Sequence, residues 1–94
     1  MELKESKTHR GFKIIEFKDL YGDQCNIQKS SLATEDAIWF GVENGNPKIL
    51  KNGEGWVKFP IPEEVLISTR MHLTREQVAD LLPILEKFVD TGEI

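Results

Sequence analysis

Residues 67–75 read ISTRMHLTR, and two periodicities meet in those nine letters. Ile67, Thr69, Met71 and Leu73 alternate with Ser68, Arg70 and His72, the two-residue repeat of a strand with one apolar side. From Thr74 the repeat lengthens. Val78, Leu81, Leu82, Leu85, Phe88 and Val89 share one side of a helix, and Thr74 with Gln77 has the spacing of a capping box. Gly92 stands where a terminating glycine belongs. A strand that runs into an amphipathic helix sets the class as α+β, with the helix expected to lay its apolar stripe on one sheet face. Pro83 is the one violation, since an interior proline removes a backbone hydrogen bond at a cost of about 3 kcal/mol. The expectation is a kink near Ala79 to Leu82, tolerated because the stripe is buried. Arg75, Glu76, Asp80, Glu86, Lys87 and Asp90 fall on the other side of the helix and read as a solvated surface.

Working back toward the N-terminus, GFKIIEFKD reads as a strand. Gly22 and Asp23 supply a turn, and QCNIQKS then alternates strictly, so residues 11–30 form an antiparallel hairpin. SSLATEDA breaks the alternation before the strand AIWFGVE. Asn44-Gly45 is a two-residue turn that folds this strand back onto PKILK, where Pro47 suits an edge position. After a second turn at NGEG, WVKF is a further short strand, and Pro60 and Pro62 hold an extended connector to the last strand, VLISTRMHL. The reading is five or six short antiparallel strands and one C-terminal helix; a small, partly open β-barrel with the helix at one end is the alternative. Residues 1–10 are polar and expected to be flexible, which leaves 11–94 as a single domain.

The totals narrow the function. With 94 residues, 39% apolar and 30% charged, the chain is composed like an ordinary globular domain. A net charge of −4 argues against coating nucleic acid, which needs a concentrated excess of Lys and Arg. No apolar run approaches the roughly 18 residues of a membrane span, and MELKESKTHRG lacks the apolar stretch of a secretory signal, so a cytoplasmic location is expected. Cys25 is the single cysteine; it cannot close an internal disulfide and reads as a small apolar filler. With only His9 and His72 beside it there is no zinc spacing, and neither metal nor cofactor is expected.

If the helix covers one sheet face, the opposite face meets water, a ligand or another chain, and parity names its residues. Asn26, Gln28 and Ser30 come from the second strand, and Ser68, Arg70 and His72 from the last. On the middle strand Ile38, Phe40 and Val42 are the better core set, which turns Ala37, Trp39 and Gly41 outward. A Trp with small neighbours is a flat shelf for a ring or an aromatic anchor, Arg is a forked donor for carboxylate or phosphate, and Ser, Asn and Gln fix orientation. A half-exposed antiparallel sheet is also polar outside for no reason but solvation. Trp39 is harder to explain that way, since a large aromatic on a polar face usually has the chain's own tail, a twin subunit or a foreign protein against it. His72 with Ser30, Ser31 or Ser68 and with Glu35 or Asp36 lacks any spacing that would make a triad, and no serine sits in a Gly-x-Ser-x-Gly elbow. The chain does not read as an enzyme.

CNIQKSSLATEDAIWFG (residues 25–41) and TRMHLTREQVADLLPILEKFVDTGEI (residues 69–94) resemble segments of short proteins encoded in bacteriophage and prophage gene clusters, over roughly Gly11 to Ile94. Such proteins carry no established activity, so the resemblance transfers context and no residue roles. It implies a small accessory factor in the cytoplasm of a bacterial host cell. The expected partner is a host protein met by the face around Trp39, Arg70 and His72. The alternative is a homo-oligomer that sequesters a small anionic or nucleotide ligand with Arg70, His72 and the serines.

Overall fold

The computed structural model describes residues 1–67 and 69–94. Its strands are β1 (Lys4–Lys7), β2 (Lys13–Lys18), β3 (Gln24–Lys29), β4 (Ala37–Val42), β5 (Lys48–Lys51), β6 (Gly55–Lys58) and β7 (Met71–Thr74), and one helix, α1 (Arg75–Thr91), follows. Five strands form an antiparallel sheet in the order β1-β2-β3-β4-β7, and β5 with β6 forms a separate two-stranded sheet. The architecture is α+β with no closed barrel.

The hairpin of residues 11–30 is present as β2 and β3, joined through Gly22 at φ 84. Asp19 builds that turn, its carboxylate accepting from the backbone N–H of Tyr21 and of Asp23, the short-range bonding that favours Asp in turns. The first ten residues differ from expectation. Lys4–Lys7 adds to β2 as an edge strand, with Lys4 opposite Glu16 and Lys7 opposite Lys13. Backbone pairing to an open edge needs no apolar letters, so composition did not reveal it.

Asn44-Gly45 does not return β4 onto β5. The free side of β4 is taken by β7, with Phe40 opposite Met71 and Ala37 opposite Thr74. Beyond that ladder, Ile67 lies against Gly45 and Thr69 and Arg70 against Gly41, and within VLISTRMHL the strand begins at Met71. The contact is close: a Cβ on Gly45 would lie 2.7 Å from Ile67 Cγ2, and one on Gly41 would lie 2.6 Å from the Thr69 carbonyl oxygen. Displaced from β4, β5 pairs with β6, with Leu50 opposite Trp56, and the Phe59 N–H donates to the Pro47 carbonyl at its base.

The two faces of the main sheet follow the expected parity. Ile15, Phe17, Cys25, Ile27, Ile38, Phe40, Met71 and Leu73 share one face through the ladder registers, and Phe17 meets Phe40 edge-on at 6.3 Å. Asn26, Gln28, Trp39, Gly41 and His72 share the other.

The helix departs from expectation in its packing, though its ends are as read. Thr74 accepts from the Gln77 N–H while the Gln77 side chain accepts from the Thr74 N–H, and Gly92 at φ 77 closes the last turn onto the Phe88 carbonyl. The helix is continuous through Pro83. Yet none of its residues is buried, and only Val78 is half-buried. The stripe does not cover the sheet. The reason lies in the junction: Thr74 is both the last ladder residue of β7 and the helix cap, and with no residue between strand and helix the chain cannot turn back over its own sheet, a return that ordinarily takes two to six residues (about that many in strand-to-helix loops). Burial of the stripe therefore does not offset the cost of Pro83 within one chain. Among the described residues only Cys25, Asn26, Ser30 and Ala37 are buried.

Candidate functional site

The polar face has a centre, and it is Trp39. Its position on β4 sets it opposite Gln28 of β3 on one side and His72 of β7 on the other. The His72 ring lies 4.8 Å from the Trp39 ring, centroid to centroid, tilted by 33°. Arg70, just before β7, places its guanidinium carbon 5.6 Å from the same ring, within the range of a cation–π contact. The three residues singled out in the sequence are thus assembled on one face.

What lies against Trp39 is the chain itself. Trp39 and Arg70 are half-buried, and His72 is exposed, so the expected open aromatic shelf is largely roofed by the segment leading into β7. That segment is held by two devices. The Thr69 hydroxyl donates to the Val42 carbonyl at 2.7 Å, and Gly41, at φ 157, removes the side chain that would push the segment away. Beside the stack is an open hollow of about 280 Å³ bordered by Trp39, Glu43, Leu66, Ile67, Arg70 and His72.

Arg70 makes no ion pair among the described residues; the pairs there are Lys13 with Glu5, Lys29 with Asp36 and Arg75 with Asp36. A guanidinium fixed by a ring and left without a carboxylate is set to receive one, or a phosphate, through its forked donors. The Trp39 indole N–H is buried and has no hydrogen-bond partner among the described residues, a group that ordinarily finds one.

The remaining site residues fare differently. Asn26 was expected to face outward; its side chain is fully buried at 0% exposure, and among the described residues neither its amide nitrogen nor its oxygen has a partner. Ser30 was expected there as well, but it is buried and its hydroxyl accepts from the Leu32 N–H. Buried, neither is placed to touch a partner: Asn26 lies on the inner strand β3 opposite Gly41, and Ser30 lies just beyond the end of β3 with its N–H donating to the Ala37 carbonyl. Gln28 is half-buried between Trp39 and Ile14. Ser68 lies outside the described residues.

Among the described residues no hydrogen bond joins the His72 side chain to a serine or a carboxylate. Its ring is engaged by Trp39, and Asp36, the candidate acid, is tied to the Lys29 ammonium at 2.8 Å. That hydrogen bond, with the Lys29 charge behind it, lowers the Asp36 carboxyl from its ordinary value. The Cys25 thiol is pushed up, first by burial and then by the charges of Asp19 and Asp23, so it is poorly suited to nucleophilic work. Among the described residues no group of three His, Cys, Asp or Glu side chains could hold a metal ion, and no helix is long and apolar enough to cross a membrane.

No protein-family model, no curated protein and no solved structure matches the chain.

The sequence reading passed over one feature, the apolar surface left outside the core. Leu50 and Trp56 on the β5–β6 hairpin and Leu82, Leu85, Phe88 and Val89 on α1 are all exposed. Pattern reading locates such residues on a stripe but assumes that the same chain covers it.

Proposed function

We propose that the chain is a small accessory binding protein that grips an acidic element of a host protein at the face where Arg70 and His72 lie against Trp39. One observation carries this reading: a half-buried guanidinium stacked on an indole, with no carboxylate paired to it among the described residues. An Arg held this way has already lost much of its side-chain freedom, so a carboxylate or phosphoryl group on a partner meets a pre-ordered donor. Arg beside Trp is also the pairing most often found at the energetic centre of protein interfaces. The resemblance to phage-encoded chains supplies the host as the source of the partner.

The hollow beside the stack is open to solvent, whereas small-molecule sites enclose most of their ligand's surface, and this favours a macromolecule. A side chain presented by a larger surface needs no such enclosure.

The test is retention of a host protein by the immobilised chain, compared with Arg70→Ala and Trp39→Ala. A specific protein held by the parent and lost by both variants, with both still folded by circular dichroism, supports the reading. Equal retention by parent and variants overturns it. A rise in melting temperature with one nucleotide in a panel, abolished by Arg70→Ala, would favour sequestration of a small anion instead.

A further inference from the structure

The chain exposes 8137 Å², whereas a compact monomer of 10.8 kDa exposes about 5,500 Å². Its radius of gyration is 16.5 Å, against about 12 Å for a compact domain of this length. The excess, about 2,600 Å² per chain, is what two copies would hide by burying roughly 5,200 Å² between them, the upper range of obligate dimer interfaces.

The bare surfaces are complementary. α1 carries an apolar stripe in which Leu85 is 57%, Phe88 54% and Val89 82% exposed. The apolar face of the sheet, centred on Ile27 and Phe40, meets that helix at its β7 edge, where Val78, Ala79 and Leu82 border Ile38 and Leu73. We infer that a second copy of this chain covers both: in a two-fold dimer, α1 of each copy lies across the apolar face of the other copy's five-stranded sheet.

Three features support exchange between identical chains over capture of a foreign one. The junction at Thr74 has no linker and holds α1 away from its own sheet while leaving it projecting. A helix of 17 residues is about 25 Å long, and the five strands span about 19 Å between their outer axes, so one helix reaches across the sheet. A single two-fold operation pairs each helix with each sheet, since a self-complementary contact is made twice; a foreign partner would have to bring both a helix and a sheet face of its own. An amphipathic helix that carries Pro83 in its interior also needs a packed stripe to persist. The contact uses the face opposite Trp39 and leaves the Arg70 site open.

Sedimentation velocity and light scattering of the full chain over a hundredfold concentration range test the inference. The expected mass is twice 10.8 kDa, with a melting temperature that rises with concentration, as it must when folding and association are linked. Leu85→Glu with Val89→Glu is the variant. If the helix is bare in solution both substitutions are harmless, and parental mass and melting temperature overturn the inference; loss of the dimer, as a single-chain mass or an unfolded chain, upholds it. Isotope-filtered contacts in a mixture of labelled and unlabelled parent chains fix the arrangement. Contacts from Leu85 or Phe88 of one copy to Ile27 or Phe40 of the other are expected. Helix-to-helix contacts alone, or a monomeric parent with a concentration-independent melting temperature, overturn it.

Discussion

Gly41→Ala should loosen the segment that roofs Trp39, and its cost can be worked from the contacts at that point. A Cβ there would sit 2.6 Å from the Thr69 carbonyl oxygen and 3.0 Å from the Arg70 Cα, the first about 0.9 Å inside the optimal separation of about 3.5 Å. Both obstructing atoms are backbone, so no side chain can swing aside. Relief requires residues 69 and 70 to move outward, which strains the Thr69 to Val42 hydrogen bond, about 1 kcal/mol, and the Arg70 contact with Trp39, about 1 kcal/mol for a partly desolvated cation–π pair. The sum, about 2 kcal/mol, agrees with the usual cost of overpacking, about 1–3 kcal/mol. The assay is urea unfolding at fixed protein concentration in a Trp56→Phe background, so that Trp39 alone reports. The variant should unfold about 2 kcal/mol more easily with a red-shifted native emission. Gly53→Ala is the control: Gly53 has φ +80 and nothing near its absent Cβ, so the left-handed backbone costs about 1–2 kcal/mol while Trp39 emission is unchanged. Parental stability and emission in Gly41→Ala would refute the reasoning.

Asn26→Leu, which replaces a fully buried amide whose polar atoms have no partner among the described residues, should be neutral or raise stability by up to about 2 kcal/mol, read from the urea midpoint; a loss above about 1 kcal/mol would mean the amide is bonded in solution. Cys25 should resist iodoacetamide in the folded protein and react on unfolding. Burial raises its thiol, so its contribution to stability is intact below the ordinary thiol value and lost as pH rises through the raised one; rapid alkylation of the native chain at neutral pH would contradict this. For Asp36, held low by Lys29, the sign is reversed: its contribution is present above the ordinary carboxylate value and fades as pH falls through the lowered one. Asp36→Asn should flatten that acid limb of the stability profile, and an unchanged limb would count against the pairing. Thr74→Ala removes the hydroxyl that caps α1 and should cost about 1 kcal/mol, seen as lost helical ellipticity.

Local readings survived wherever the deciding interaction is local. The capping box and terminating glycine of α1, the turn at Gly22 and the alternation of β3 and β4 depend on neighbours a few residues apart, and letters a few residues apart encode them. Parity also carried the candidate site, since a strand's repeat places Trp39 and His72 on one side wherever β4 and β7 pair. The repeat could not say how deeply each residue sits. Asn26 shares the side of Trp39 on the inner strand β3 and Ser30 lies just beyond that strand's end, and their burial depends on what passes over them.

By itself the sequence determined the class of fold, most of the strands, the ends of the helix and the side of the sheet taken by the ladder residues of β2, β3, β4 and β7, because backbone periodicity and capping chemistry are short-range; Ile67 and Thr69, expected on the apolar side, border the hollow beside Trp39 instead. Only the tertiary structure decided which strand takes the free edge of β4, that Arg70 and His72 roof the indole, and that α1 projects from the sheet it was expected to cover. Those outcomes turn on contacts between distant residues competing for one edge or one face, and on a strand-to-helix junction with no spare residue. An apolar stripe states that something must cover it; the direction in which the chain leaves Thr74 states that the same copy does not.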